Sequence, residues 1–311
     1  MRPALAVVLA AALTVLVVPV VRRLAFRLGV VAQPGGRHPH ARPTPTAGGV
    51  ALFVAFWVAL LVGAWPWDLA TCGMFLGSLL LLALCVTDDA LGLPVAPRLI
   101  GHLLVALVAW QYGVRIEGIS APVSALDGHY LALGWLSLPL TVAWIVFMIN
   151  AVNWIDGLDG LAAGVIGIAS ITLALMAYHT GFVVVGMAAA VLAACSLCFL
   201  LYNFNPARIF MGDTGAMFLG FIVACLSVVG AFKSTALVAT AAPLLVLGVP
   251  IYEAVTTVAR RLWHRRPVYR ADRGHLHHRL MDKGLTVRQT VLVIYALTAA
   301  LCLVAVGLWW K

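Results

Sequence analysis

The chain has 311 residues, of which 63% are hydrophobic and 10% charged, whereas a soluble globular domain carries about 25% charged residues. This composition excludes an ordinary soluble domain and predicts an all-α polytopic membrane protein. The net charge of +9 is explained by basic residues retained on one side of a membrane. No nucleic-acid partner is expected; membrane lipids with anionic headgroups and phosphorylated substrates are the expected partners.

A helical span needs ~20 apolar residues, and ten stretches qualify: 3–20, 48–65, 69–87, 98–114, 138–153, 160–178, 182–202, 214–232, 235–252 and 289–310. Ten spans put both termini on one side. The first run is too long for a signal-peptide core, and Arg22, Arg23 and Arg27 follow it instead of a small-residue cleavage site, so it reads as a retained span with its N-terminus outside. In that orientation sixteen of the twenty Lys and Arg residues fall on cytoplasmic segments, as the positive-inside rule requires. A single transmembrane domain covers 1–311, because no polar stretch is long enough to fold separately. The outer segment 115–137 alternates around Asp127–Gly128 and reads as a short hairpin. Cys195 and Cys198 form a C-x-x-C without a second Cys pair or a His in the same segment; they read as apolar filler, like the other four cysteines.

The cytoplasmic segments, near 21–47, 88–98, 153–160, 203–213 and 256–288, carry the chemistry. The first contains His38, His40, Arg42, Thr44 and Thr46 among three prolines, ending in Gly48–Gly49. Basic and hydroxyl groups on a stiff loop suit a phosphate, and the glycines allow close approach to a ligand or a neighbouring helix. The second opens with Asp88–Asp89 after the third span. Adjacent helical residues point about 100° apart, so the pair is expected to divide its tasks.

The third, Asn150 to Gly160, places two amides and two carboxylates between apolar runs; at helical spacing Asn153, Asp156 and Asp159 would share a face. In the fourth, Asp213 stands at the start of a span, where a helix N-terminus favours its charge. The fifth holds His275, His277, His278 and Arg279, better suited to phosphate than to a hard cation. Each segment alone also reads as an ordinary helix end or basic juxtamembrane loop. Together, on one face, they describe a site in which carboxylates hold Mg²⁺ and basic groups take the phosphates of a substrate.

Five motifs carry a closer resemblance: Arg42-Pro-Thr-Pro-Thr-Ala-Gly-Gly49, Asp88-Asp-x-x-Gly-Leu93, Asn150-x-x-Asn-x-x-Asp-Gly-x-Asp-Gly-Leu161, Asn205-Pro-Ala-x-x-Phe-Met-Gly-Asp-x-Gly215 and His275-Leu-His-His278. In this order they resemble the polyprenyl-phosphate N-acetylhexosamine-1-phosphate transferases. The resemblance implies transfer of a sugar 1-phosphate from a UDP-N-acetylhexosamine to undecaprenyl phosphate. UMP leaves, as an initiating step of cell-surface glycan synthesis at the bacterial inner membrane.

The resemblance also implies a cofactor, Mg²⁺ with Mn²⁺ as an alternative, and roles for residues. Asp88, Asp89, Asp213, His275, His277 and His278 would be catalytic. His40, Arg42, Thr44, Thr46, Asn153, Asp156, Asp159, Asn203 and Arg279 would bind substrate, and Asp213 and Asp156 would hold the metal. A homodimer is a candidate assembly. The His-Leu-His-His pattern is similar to the arm of the family that uses UDP-N-acetylglucosamine. The alternative arm uses UDP-MurNAc-pentapeptide and shows three consecutive histidines. A transporter is the alternative from another class, disfavoured because the carboxylates gather at one face and none falls near the middle of a span.

Overall fold

The computed structural model describes residues 2–33, 43–64, 67–120, 130–231, 237–265 and 274–310, and among them it is almost wholly helical. The elements are α1 (Pro3–Leu28), β1 (Val31–Ala32), β2 (Thr44–Pro45), α2 (Gly48–Ala64), α3 (Leu69–Leu91), α4 (Val95–Gln111), β3 (Gly118–Ser120) and β4 (Tyr130–Ala132). They continue with α5 (Ser137–Ile155), α6 (Leu161–His179), α7 (Val183–Asn203), α8 (Gly212–Ala231), α9 (Leu237–Val246), α10 (Gly248–Trp263), α11 (Leu276–Asp282) and α12 (Val287–Trp309).

Seven of the described helices are long and apolar enough to cross a membrane, and the two at Gly48–Gly63 and Val95–Gln111 are apolar but shorter. The expected span 235–252 is not one helix. Pro243 lies inside α9, and the chain breaks at Leu247 before α10 begins. α9 continues through Pro243, but Pro250, in the first turn of α10, has no N–H to bond back to Val246 and its ring clashes with that carbonyl, so this apolar run is divided. The predicted hairpin is present as β3 paired antiparallel with β4, Ile119 opposite Leu131; Asp127 and Gly128 lie outside the described residues. The six cysteines are free thiols.

The core is a bundle around α8, the most enclosed of the long helices, while α1 and α12 are the least. α2, α3, α5, α6, α7 and α9 all pack on α8. Its buried face is Ala, Leu, Phe, Ile, Val and Cys, and its side chains interlock with Phe56, Ile149 and Val152. Polar cross-links join distant helices: Trp144 Nε1 on α5 donates to Ser227 Oγ on α8 at 3.0 Å, and Tyr295 Oη on α12 to Gly160 O. Helix ends follow sequence signals. Asp68 caps α3 by accepting from Thr71 N at 2.8 Å, and Thr286 with Gln289 forms a reciprocal cap on α12, which satisfies otherwise orphaned N–H groups.

α10 has an unusual polarity. Glu253, Thr257 and Arg261 are buried, while Tyr252, Val255, Leu262 and Trp263 are exposed. Its polar side therefore packs inward and its apolar side outward, the arrangement expected of a helix whose outer surface meets lipid.

Candidate active site

The motif segments meet at one end of the bundle, and main-chain contacts join the first of them to the fourth. β1 pairs antiparallel with β2, Ala32 opposite Thr44. The chain then runs beside residues 210–215. Phe210 N donates to Pro45 O at 2.8 Å, Gly48 N to Phe210 O at 3.0 Å and Gly49 N to Met211 O at 2.9 Å. A Cβ on Gly49 would overlap the backbone of Gly215, and Gly212, at φ +67°, presses on Thr46 O. Of the two uses that residue type alone leaves open for these glycines, close approach to a neighbouring helix is the one realised. Asp213 is thereby fixed in the first turn of α8, as expected from its position.

The third motif departs from the expected helical face. α5 ends at Ile155, and Asp156 has φ −76° and ψ 45°, so Asp156 and Asp159 lie in a turn closed by Gly160 at φ +83°. Gly157 and Gly160 stop the helix. Asp159 Oδ2 accepts from Asn205 Nδ2 and from Ala207 N, each at 3.0 Å. Asn203, 2% exposed, accepts from Gly160 N at 3.1 Å and donates to Ile209 O at 3.0 Å. Asp159 and Asn203, expected to bind substrate, are thus engaged in tying the third motif to the fourth.

Asp88 and Asp89 occupy the last turn of α3, which runs to Leu91 rather than ending at 87. They do divide their tasks. Asp88 accepts from Leu93 N at 2.8 Å and pairs with Arg98 at 3.2 Å. Asp89 instead lines a cavity of about 310 Å³ together with Thr46, Asp156, Asp159, Asn203 and Asp213. Four carboxylates facing one space repel each other unless a proton or a cation intervenes. Burial, with Asp213 and Asp159 nearby, pushes the Asp156 carboxyl up from 3.8 to about 8.

The donor set suits a hard divalent cation. Among the described residues no three His, Cys, Asp or Glu groups form a metal cage by themselves. Mg²⁺ rarely uses one, since it keeps several waters and takes one or two carboxylates plus substrate phosphates. The four carboxylates on the cavity wall fit such a cation, with Asp213 and Asp156 as the residues that would hold it.

The histidine segment packs beside the turn that carries Asp156. His275 and His277 stack at 5.4 Å with 2° between planes, and His277 lies 4.3 Å from His278. His277 is buried and rests against Gly157, where a Cβ would come within 2.6 Å of Nε2. Burial, then His278 and His275, push its pKa down to about 3, which disfavours its charged form. His278 is half-buried and Arg279 exposed. Thr44 is buried, Thr46 half-buried on the cavity wall, and Asn153 half-buried in the last turn of α5. His40 and Arg42 lie outside the described residues.

Three participants were not singled out from sequence. Asn205 holds Asp159, Arg261 stacks over Trp154 at 5.2 Å, and Glu253 contacts His275. For Glu253 the available signal was an acid directly after a long apolar run, upstream of a histidine cluster.

Comparison with known proteins finds relatives over most of the chain. Residues 71–231 match the model of glycosyl transferase family 4. A probable undecaprenyl-phosphate N-acetylglucosaminyl 1-phosphate transferase of Bacillus subtilis is 36% identical over 284 residues, 91% of this chain and 78% of that protein. A decaprenyl-phosphate N-acetylglucosaminephosphotransferase of Mycobacterium tuberculosis is 32% identical, covering 88% of this chain and 74% of the relative. A phospho-N-acetylmuramoyl-pentapeptide-transferase of Pelotomaculum thermopropionicum is 36% identical, covering 91% and 89%.

Proposed function

This chain belongs to glycosyl transferase family 4, and on that footing we propose that it transfers N-acetylglucosamine 1-phosphate from its UDP-sugar to undecaprenyl phosphate, releasing UMP. The observation that carries the reading is the convergence of Asp89, Asp156 and Asp213 on one cavity beside the histidine segment. The relatives named for N-acetylglucosamine phosphate transfer and the His275-Leu-His-His278 pattern favour this sugar over MurNAc-pentapeptide.

Phosphoryl transfer requires alignment and charge neutralisation more than covalent help. Asp213 and Asp156 would hold Mg²⁺, which supplies neutralisation of the donor's diphosphate when bound. Asp89, on the cavity wall, is placed to orient the acceptor phosphate and take its proton, while Asp88 holds Arg98 and the end of α3 in position. A phosphomonoester is itself a competent nucleophile, so direct attack on the sugar-linked phosphorus is preferred over an aspartyl-phosphate route. His275, His278 and Arg279, with His40 and Arg42 from the first loop, are the groups for the donor's diphosphate and sugar. Thr46 borders the cavity, with Thr44 in β2 and Asn153 in the last turn of α5 as further candidates for substrate binding. Asn203 and Asp159 serve by positioning.

The charge distribution supports ten passes, counting α9 and α10 as one broken crossing, with both termini outside and the site at the cytoplasmic face of the inner membrane. The deciding experiment incubates purified protein with undecaprenyl phosphate, Mg²⁺ and a panel of UDP-sugars. UMP is expected with UDP-N-acetylglucosamine, and its absence with every UDP-N-acetylhexosamine overturns the reading.

The carboxylate cavity also predicts a pH dependence. Asp156 binds its proton more tightly in the folded chain (about 8) than in an ordinary setting (3.8). Between those values the folded state holds more protons than the unfolded one, so metal-free stability falls as pH rises toward about 8. Mg²⁺ competes with that proton, so its affinity rises over the same interval. Melting curves of the detergent-solubilised protein at pH 6 to 9, with and without Mg²⁺, check both signs. Stabilisation by Mg²⁺ that is equal at pH 6 and pH 9 would contradict the assignment.

A further inference from the structure

We propose that Glu253 is a positioning residue that sets the tautomer and orientation of His275, leaving its Nε2 as a hydrogen-bond acceptor for a hydroxyl or N–H group of the donor's sugar. The inference rests on the transferase reading above. Glu253 is 3% exposed and His275 8%, and both carboxylate oxygens are engaged. Oε2 lies 3.1 Å from His275 Nδ1, and Oε1 accepts from Leu276 N.

The clamp has further points along one side of α10. Thr257 Oγ1, fully buried, lies 3.4 Å from the same Nδ1, and Arg260 donates to Gly274 O at 2.8 Å. Residues at i, i+4 and i+7 lie on one helical face, so α10 grips three consecutive residues, Gly274 to Leu276, before α11 begins. A buried carboxylate is costly unless its oxygens are satisfied; here the segment it satisfies is the histidine motif.

The chemistry follows from the inventory of donors. An ionised carboxylate only accepts, so His275 Nδ1 carries the hydrogen facing Glu253. Nε2 then carries the lone pair and accepts from a ligand hydroxyl or N–H, and the tautomer is set by the partner of the other nitrogen. The stacking of His275 on His277, and of His277 on Gly157, carries the same orientation to the wall that holds Asp156.

Glu253→Gln tests this without changing shape. A glutamine side chain still offers an oxygen to Leu276 N, but its amide then points N–H at Nδ1, which must accept, moving the ring hydrogen to Nε2. Protein labelled with ¹⁵N-histidine is expected to show His275 (assigned by its loss in His275→Ala) with Nδ1 protonated in the parent chain and Nε2 protonated in Glu253→Gln. UMP release from UDP-N-acetylglucosamine is expected to fall about 10- to 100-fold in Glu253→Gln, the range for loss of a group that orients a ligand. In the His275→Ala background the same change is expected to cost less than about two-fold, because groups acting through one another are not additive.

Glu253→Asp, which keeps the charge, is expected to retain the parent tautomer and more activity than Glu253→Gln. An unchanged tautomer in a folded Glu253→Gln, or an equal loss in the His275→Ala background, overturns the proposal. A parent chain that releases no UMP with any UDP-N-acetylhexosamine overturns the transferase reading instead, and the tautomer measurement still decides whether Glu253 orients His275.

Discussion

Asp213→Asn is expected to lower the rate of UMP release about a thousand-fold, equivalent to about 4 kcal/mol of transition-state stabilisation, with the bundle intact. Asp213 is held in the first turn of α8 by the 210–215 backbone against the 45–49 backbone, and asparagine can occupy the same place. What disappears is the negative charge that a hard cation requires and that raises the Asp156 carboxyl. The variant therefore has a second signature: the pH at which metal-free stability declines moves downward, and stabilisation by Mg²⁺ weakens. Near-parental turnover in a variant whose melting is unchanged would remove Asp213 from the metal site.

The second large effect is structural in origin. Gly49→Leu places a side chain into the backbone of Gly215, and main chain in a paired segment cannot move aside as a flexible side chain can. Overpacking costs about 1–3 kcal/mol at ordinary core positions, occasionally more, and here it also separates the two backbones that fix Asp213. Loss of at least about a hundred-fold in turnover is expected, since small misplacements of reacting groups carry such penalties, with a lowered melting temperature. Gly307→Ala in α12, where nothing lies within 4 Å of an added Cβ, is the matching control and should leave both measurements unchanged. If Gly49→Leu melts and turns over like the parent chain, the backbone pairing does not set the position of Asp213.

Much of this protein is legible in its residues alone. Apolar run length and scarcity of charge identify a helical membrane chain, because unsatisfied backbone in hydrocarbon is so costly that few alternatives remain. The run 235–252 marks where that logic falls short. Hydropathy does not register the break at Leu247, before Pro250, nor that the following helix turns Glu253, Thr257 and Arg261 inward. Asn153, Asp156 and Asp159 are similar: spacing alone suggests a shared helical face, and the glycines between them end the helix first.

Residue identity by itself determined which chemistry is present: oxygen donors for a hard cation, and histidines and arginines for phosphates, gathered in five recognisable motifs. Only the tertiary structure decided how that chemistry is divided. It turns Asp89 to the cavity and Asp88 to Arg98. It commits Asp159 and Asn203 to hydrogen bonds between motifs. It buries His277 against Gly157 and sets Glu253 beside His275. The physical reason is that type and local spacing follow from covalent connectivity. Desolvation, pairing and direction depend on residues dozens to hundreds of positions away that pack against the same few atoms.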